Sequence, residues 1–116
     1  MKAKTNLTML CDFYELTMGN GYFQTGLADR ICYFDVFYRS VPDKGGFAIA
    51  AGLAQVVEYI QNLCFDEEDI AYLQSKGCFA PEFLDYLRTF RFTGDIWAVP
   101  EGTPIFPGEP ILTLRA

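Results

Sequence analysis

The first run of apolar positions in the chain predicts a helix that begins near residue 13. Asp12 followed three residues later by Glu15 fits a capping box. Gly26 supplies a stop, so we expect the helix to run from about Phe13 to Thr25. Its apolar residues are spread around most of the circumference: Phe13, Tyr14, Leu16, Met18, Tyr22 and Phe23. Such a helix is expected to be buried on several sides or to contact another subunit.

Three further helices are predicted in the middle of the chain. Apolar residues recur at helical spacing over residues 53–63. Asp66 is placed to cap the next helix, which Gly77 ends, and Pro81 begins a last helix that ends near Phe90. The residues of these last two helices expected to face inward are Ile70, Leu73, Phe83, Leu84 and Leu87.

Short strands are predicted on either side of these helices. Residues 31–38 are rich in aromatic and β-branched side chains, with Asp35 as the one charge, and predict a strand buried on at least one face. After residue 92 we expect three strands separated by proline and glycine turns: Asp95–Val99, Pro104–Phe106 and Ile111–Leu114. The order of elements predicts an α+β fold, with a small mixed sheet packed with about four helices.

Composition favours one compact domain over residues 1–116, because 51% of the residues are hydrophobic and 21% are charged. The net charge of −6 has the wrong sign for a phosphate backbone, so no nucleic acid is expected as a partner. The longest run without polar side chains, Phe47–Ala54, is much shorter than the ~20 residues of a membrane-spanning helix. We therefore expect no membrane partner and no export signal.

The cysteines and the end of the chain complete this general picture. The cysteines, at positions without the spacing of metal ligands or of a secreted disulfide framework, are Cys11, Cys32, Cys64 and Cys78. We expect four reduced thiols that fill gaps in the core of a cytoplasmic protein. Arg115-Ala116 follows directly on a predicted strand, so the chain is expected to be a fragment of a longer protein.

Few residues carry chemistry of their own. The chain has no histidine, so no Ser-His-Asp or Cys-His arrangement can be assembled from it, and no catalytic residue or metal site is predicted. The acidic run Asp66–Asp69 is explained by its place at a helix start. Gly19-Asn20-Gly21 follows no strand and is expected to permit close helix packing. Gly45-Gly46 is compatible with a turn or with the approach of a phosphate.

The start of the first helix is the most informative local site. Backbone amides there have no partner within the helix, and the positive end of the helix dipole favours an anion. Tyr14 in the opening turn offers a stacking face and a hydroxyl group. From the residues alone, Tyr14 is either a core aromatic or a ligand contact, and Asp12 is either a helix cap or a ligand group.

Five segments resemble, in order, motifs of the nicotinate phosphoribosyltransferase family. They are Asp12–Met18, Phe34–Arg39 with the following Pro42, Gly46–Leu53, Phe92–Gly102 and Phe106–Pro110. The likeness covers almost the whole chain. Two departures are small: Phe13 stands where the family often has leucine, and Glu15 where it often has glutamine.

The resemblance implies the N-terminal domain of an enzyme that joins nicotinate to phosphoribosyl pyrophosphate. The products are nicotinate mononucleotide and pyrophosphate, and the reaction serves NAD salvage with coupled ATP hydrolysis. ATP and Mg²⁺ are then the co-substrate and ion of the full enzyme, which is expected to be a cytoplasmic homodimer. The family's phosphorylated histidine and phosphate-binding residues lie in a following α/β barrel domain, absent here. The isolated chain is therefore expected to be inactive.

The resemblance also assigns roles to individual residues. Tyr14 matches the family tyrosine that contacts the nicotinate ring, typically in a neighbouring subunit's pocket. Asp12 matches an aspartate near the ribose phosphate. Arg39 lies in a matched block, where a structural role is expected, and Trp97 is expected to pack in the sheet.

Two non-catalytic alternatives remain open. The turns of Gly94–Leu112 have the rhythm of a biotinyl or lipoyl carrier domain, in which a hairpin displays one lysine. Lys76 is the last lysine of the chain and lies outside this region, which argues against covalent attachment. The other alternative is a purely structural interaction module.

Overall fold

The computed structural model of the protein describes residues 6–116, which divide into two compact units. The helical unit comprises the described residues up to Arg30 together with Tyr59–Phe92. The sheet unit comprises Ile31–Glu58 and Thr93–Ala116. Each unit is closed by contacts between segments distant in sequence. That residues 1–116 form one domain stays a prediction.

Four α-helices occupy the positions that the hydrophobic pattern predicts. They are α1 (Phe13–Gln24), α2 (Leu53–Gln61), α3 (Glu67–Ser75) and α4 (Pro81–Thr89). Helices α1, α3 and α4 belong to the helical unit, and α2 contributes residues to both units. The buried core of the helical unit consists of Leu16, Ile70, Leu73, Phe83, Leu84 and Leu87. All of these except Leu16 come from α3 and α4, and α1 adds the partly buried Phe23, which packs against this core.

The boundaries of α3 and α4 follow the local signals in the sequence. Asp66 and Asp69 form a capping box, in which the Asp69 amide donates to Asp66 Oδ1 at 2.9 Å and the Asp66 amide donates to Asp69 Oδ2 at 3.1 Å. Gly77 follows α3 with a φ of +68°, a conformation that glycine adopts without strain. Pro81 is the first residue of α4, where its missing N–H costs no helical hydrogen bond.

The start of α1 differs from its prediction. Asp12 occupies the N-cap position with extended backbone angles (φ −72°, ψ 143°), but its side chain makes no capping hydrogen bond. The Glu15 amide instead donates to the Asp12 backbone carbonyl at 3.1 Å. The predicted capping box of Asp12 and Glu15 is therefore wrong, because backbone groups alone close the first turn. Burial of α1 on several sides is also not observed within the described residues, since Leu16 is its one buried residue.

Five short strands form two small antiparallel sheets in the sheet unit. They are β1 (Tyr33–Val36), β2 (Ala48–Ile49), β3 (Asp95–Ala98), β4 (Pro104–Ile105) and β5 (Leu112–Arg115). Strands β1, β5 and β3 form one sheet in that order, and β2 pairs with β4. The α+β class is confirmed. The prediction of one mixed sheet is wrong, because the strands form two antiparallel sheets. Strand β2, the partner of β4, is only two residues long, which is too short to show an alternating pattern in the sequence.

Burial in the three-stranded sheet is confined to its central strand. Leu112 on β5 is buried, whereas all four residues of β1 are exposed and Trp97 on β3 is 56% exposed. Strands β1 and β3 are the two edges of this sheet. The predictions that residues 31–38 are buried on one face and that Trp97 packs in the sheet are therefore wrong within the described residues.

Polar side chains join the edge strands to the central one. Thr113 Oγ1 donates to Asp35 Oδ1 at 2.6 Å, and Arg115 Nη1 donates to Asp95 Oδ2 at 3.2 Å. Both contacts join cross-strand neighbours in the antiparallel register. Asp35, the one charge in the aromatic strand, thus contributes to strand pairing.

The cysteines lie mostly outside the core. All four are free thiols, and Cys11, Cys32 and Cys78 are exposed while Cys64 is partly buried. The prediction that they fill core gaps is wrong for the three exposed residues, because leucine, isoleucine and phenylalanine fill the core of the helical unit. Among the described residues, no helix combines the length and the apolar character needed to cross a membrane.

Candidate functional site

The first turn of α1 exposes two candidate ligand groups. Tyr14 is 59% exposed, and the Asp12 carboxylate beside it is also exposed. Since the Asp12 side chain does not cap the helix, its oxygens are available to accept hydrogen bonds from a ligand. The two predicted substrate-binding residues are therefore neighbours at one helix start, presenting a phenol and a carboxylate.

The two sides of this turn differ, because Phe13 packs against another aromatic ring and Tyr14 is exposed to solvent. Its ring meets Phe79 edge to face, with ring centroids 5.7 Å apart. Tyr14, the next residue along the helix, stays open to solvent. The aromatic pair therefore anchors the beginning of α1 on one side and leaves the Tyr14 ring free to stack against a planar ligand.

The same corner of the helical unit is electrostatically negative. Partial burial raises the pKa of the Cys11 thiol above its ordinary value, and the carboxylates of Glu15 and Asp12 raise it further. Burial also raises the pKa of Tyr59, with smaller contributions from Cys11 and Glu15. Both groups are thus held in their neutral forms. A bare anion gains less here than at an uncharged helix start, because two carboxylates oppose the helix dipole.

Tyr59 is a member of this corner that sequence reasoning missed. It lies in α2, more than forty residues along the chain from Cys11 and Glu15. No local motif connects these positions. Only the folded helical unit brings them together.

The helix start in the sheet unit is already occupied by the protein itself. Glu101 Oε1 accepts hydrogen bonds from the Gly52 amide at 3.0 Å and the Ala54 amide at 3.3 Å, at the beginning of α2. A carboxylate in this position satisfies the free amides and complements the helix dipole. The start of α2 is therefore not open to a phosphate, and the preceding Gly45-Gly46 fits the turn alternative. A Cβ at Gly45 would lie 2.9 Å from Val41 Cγ1, which explains glycine there.

A small apolar pocket lies in the sheet unit next to this helix start. Its volume is about 180 Å³, and Glu101 is the one charged residue in its lining, which includes Val36, Leu53, Val56, Ala98 and Leu112. Pockets that enclose a drug-sized ligand are larger, at roughly 300–1,000 Å³. With its carboxylate committed to α2, this pocket offers little polar recognition, so the start of α1 remains the stronger candidate site.

The remaining predictions concern Arg39 and metal binding. Arg39 is exposed in the loop after β1. Within residues 6–116, no three His, Cys, Asp or Glu side chains are grouped so that they could hold a metal ion.

Comparison with known proteins assigns the family. Residues 9–116 match the sequence profile of the nicotinate phosphoribosyltransferase (NAPRTase) N-terminal domain. The chain is 44% identical over 108 residues to nicotinate phosphoribosyltransferase pncB2 of Mycobacterium tuberculosis, covering 93% of this chain and 23% of that protein. It is 38% identical over 110 residues to nicotinate phosphoribosyltransferase of Caenorhabditis elegans, covering 92% of this chain and 20% of that protein.

A solved structure supports the same assignment. The crystal structure of human nicotinic acid phosphoribosyltransferase matches with a TM-score of 0.82 and 33% sequence identity, over 91% of this chain and 22% of the human chain. The fold is thus that of an N-terminal α+β domain found in phosphoribosyltransferases of this kind. The chain belongs to the nicotinate phosphoribosyltransferase family and spans about a fifth to a quarter of the length of the relatives it matches.

Proposed function

We propose that this chain is the N-terminal part of an enzyme that joins nicotinate to phosphoribosyl pyrophosphate, forming nicotinate mononucleotide and pyrophosphate with coupled ATP hydrolysis. The enzyme would act in NAD salvage. Family membership over residues 9–116 supports this reaction, because the relatives carry the name of that activity. The chain has no histidine to take up a phosphoryl group, so the reacting centre belongs to polypeptide outside these residues.

The observation that carries the proposal is the exposure of Tyr14. This ring is 59% exposed, on a helix start that Phe13 anchors from the other side. The matched motif Asp12–Met18 begins at the same turn. In the proposed enzyme the Tyr14 ring stacks on the pyridine ring of nicotinate, and its hydroxyl donates or accepts one hydrogen bond.

Asp12 has a second role in the proposed site. A carboxylate with no capping duty can accept hydrogen bonds from ribose hydroxyls, whereas phosphate groups would be repelled. We therefore assign Asp12 to the ribose of phosphoribosyl pyrophosphate and the phosphates to basic residues elsewhere. Mg²⁺ and ATP bind with those phosphates, outside residues 6–116.

The proposed enzyme is a cytoplasmic homodimer, with neither nucleic acid nor membrane as a partner. An exposed aromatic turn at the start of α1 is suited to reach the pocket of a neighbouring subunit. The isolated chain holds one side of that pocket and is proposed to be inactive alone.

Steady-state kinetics of the native gene product test the role of Tyr14. Tyr14→Phe removes one hydrogen bond and is expected to raise the nicotinate KM about 3- to 10-fold. Tyr14→Ala also removes the ring contact and is expected to raise it about 10- to 100-fold. Formation of nicotinate mononucleotide is measured over a range of nicotinate concentrations.

Tyr72 supplies a matched control for this experiment. It is another exposed tyrosine of the helical unit, 51% exposed on α3, where it lies under the Lys76 ammonium group. Tyr72→Ala is expected to leave the nicotinate KM unchanged. Wild-type constants for both Tyr14 variants, or absence of the reaction in the unmodified gene product, would contradict the proposal.

A further inference from the structure

We propose that residues Cys78–Ala80 act as a strap along α1 and that Asn20 is a positioning residue for Tyr14. The inference rests on the proposed function, because it concerns how the nicotinate contact is held in place. It assigns a role to the Gly19-Asn20-Gly21 segment, which the substrate site itself does not use.

The first attachment of the strap is the Asn20 side chain. Asn20 Oδ1 accepts a hydrogen bond from the Ala80 amide at 3.0 Å, and Asn20 Nδ2 donates to the Cys78 carbonyl at 3.5 Å. Asn20 is half-buried and nearly sixty residues away from both partners in sequence. One amide side chain therefore joins the second half of α1 to the backbone that leads into α4.

The second attachment is the ring of Phe79, which lies between these two partners in sequence. Its edge-to-face contact with Phe13 reaches the first residue of α1, and it also stacks on Phe83 with centroids 6.1 Å apart. Phe13 and Asn20 are about two helical turns apart, a rise of roughly 10 Å. The strap thus holds α1 at two separated points, and two points fix the direction of a helix axis.

Gly19, next to the first attachment, faces the Phe83 ring of α4. A Cβ at Gly19 would lie 3.4 Å from Phe83 Cζ, an ordinary van der Waals distance, whereas a Cβ at Gly21 would meet nothing within 4 Å. The close helix packing predicted for the motif therefore has a neighbour at Gly19 but does not require glycine at either position. Asn20 adds the polar bonds that join this part of α1 to the strap.

The position of the first turn of α1 depends on the strap because the other anchors of the helix lie after Tyr14. Leu16 is its one residue in the buried core, and the Phe23 ring packs against Phe83 and Tyr86, with centroids 5.8 and 5.2 Å apart. Before Tyr14, the helix is held by the contact between Phe13 and Phe79. A shift of this turn would move the Tyr14 ring relative to a planar substrate and weaken the stacking contact that binds it.

Kinetics of three variants of the native gene product test the strap. Asn20→Ala removes both side-chain bonds, Phe79→Leu removes the ring edge but keeps an apolar side chain, and Asn20→Asp keeps an oxygen that can accept from the Ala80 amide. We expect the nicotinate KM to rise on the order of tenfold in the first two, with kcat changed less than about twofold. Asn20→Asp is expected to remain within about threefold of the wild type.

Gln24→Ala is the control, since it also removes an amide from α1 at an exposed position. It is expected to have wild-type constants. An unchanged nicotinate KM in Asn20→Ala and Phe79→Leu would overturn the inference, as would an Asn20→Asp variant as impaired as Asn20→Ala. If Asn20→Ala does not fold, Phe79→Leu and Asn20→Asp decide the question by the same criteria.

The Tyr14→Ala variant separates the two proposals. If Tyr14→Ala raises the nicotinate KM and the strap variants do not, the strap is wrong and the proposed function stands. If Tyr14→Ala leaves the KM unchanged as well, the proposed function of the α1 start fails.

Discussion

The thiol of Cys11 lies next to the candidate site, but its raised pKa makes it a poor nucleophile. Partial burial and the carboxylates of Glu15 and Asp12 all raise its pKa, so the reactive thiolate is scarce near neutral pH. Sequence alone gave Cys11 no neighbours beyond Asp12 and Glu15. Its partial desolvation, and its electrostatic influence on the pKa of Tyr59, depend on the fold.

Alkylation rates test this electrostatic environment. In a variant that keeps only Cys11, the rate of reaction with iodoacetamide is expected to rise with pH to a midpoint above that of cysteine in a short unstructured peptide. Glu15→Gln removes one of the negative charges and should lower that midpoint. Glu82→Gln, on α4, serves as a control and should leave it unchanged. A midpoint at or below that of the peptide would contradict the raised pKa.

The candidate site was predictable at the level of single residues only where a motif marked it. Tyr14 and Asp12 could be found because they begin a matched motif and a helix. Asn20, Phe79 and Tyr59 could not be found in this way, because their contacts at the site depend on partners in other elements. Local sequence carries no record of such pairings.

Among the helices, α1 and α3 begin with the same residue type but in different ways. Asp66 accepts from the Asp69 amide, whereas the Asp12 side chain caps nothing. An aspartate that caps its helix and an aspartate that does not are thus indistinguishable by residue type. Their hydrogen bonds distinguish them.

Equilibrium unfolding measures this difference. Asp66→Ala is expected to lower the free energy of unfolding by about 1 kcal/mol, because it removes a capping side chain. Asp12→Ala is expected to change it by less than about 0.5 kcal/mol. Urea denaturation followed by circular dichroism provides both values. Equal losses for the two variants would mean that Asp12 also caps its helix.

Helices were more predictable than sheets at the scale of elements. Pro81 and Gly77 are local signals, and α3 and α4 begin and end where such signals stand. The division of strands between two sheets was not predictable, because β2 and β4 are two residues long and pair across more than fifty residues. Strands this short show no periodicity.

Both units of the molecule carry exposed large apolar side chains. Those most exposed include Leu10, Tyr14, Ile31, Tyr33, Phe34 and Trp97. Large apolar areas on a soluble chain usually mark a contact surface.

Sedimentation velocity of the isolated chain tests this reading of the surface. We expect the sedimentation coefficient to rise with protein concentration. Raising the salt concentration should strengthen the association, because it screens the repulsion between chains of net charge −6. A chain that stays monomeric at every concentration, or an association that weakens as salt is added, would contradict association through apolar surfaces.

The order of strands in the larger sheet has a consequence for biosynthesis. β5 follows β1 and β3 in the chain but is the central strand, and both β1 and β3 pair only with it in that sheet. β1 ends at residue 36 and β5 begins at residue 112. At a synthesis rate of about 5–20 residues per second, β1 is synthesised roughly 4–15 s before its partner. During that interval the nascent chain contains an aromatic strand without its partner. A chaperone that binds unpaired apolar strands would act in this period.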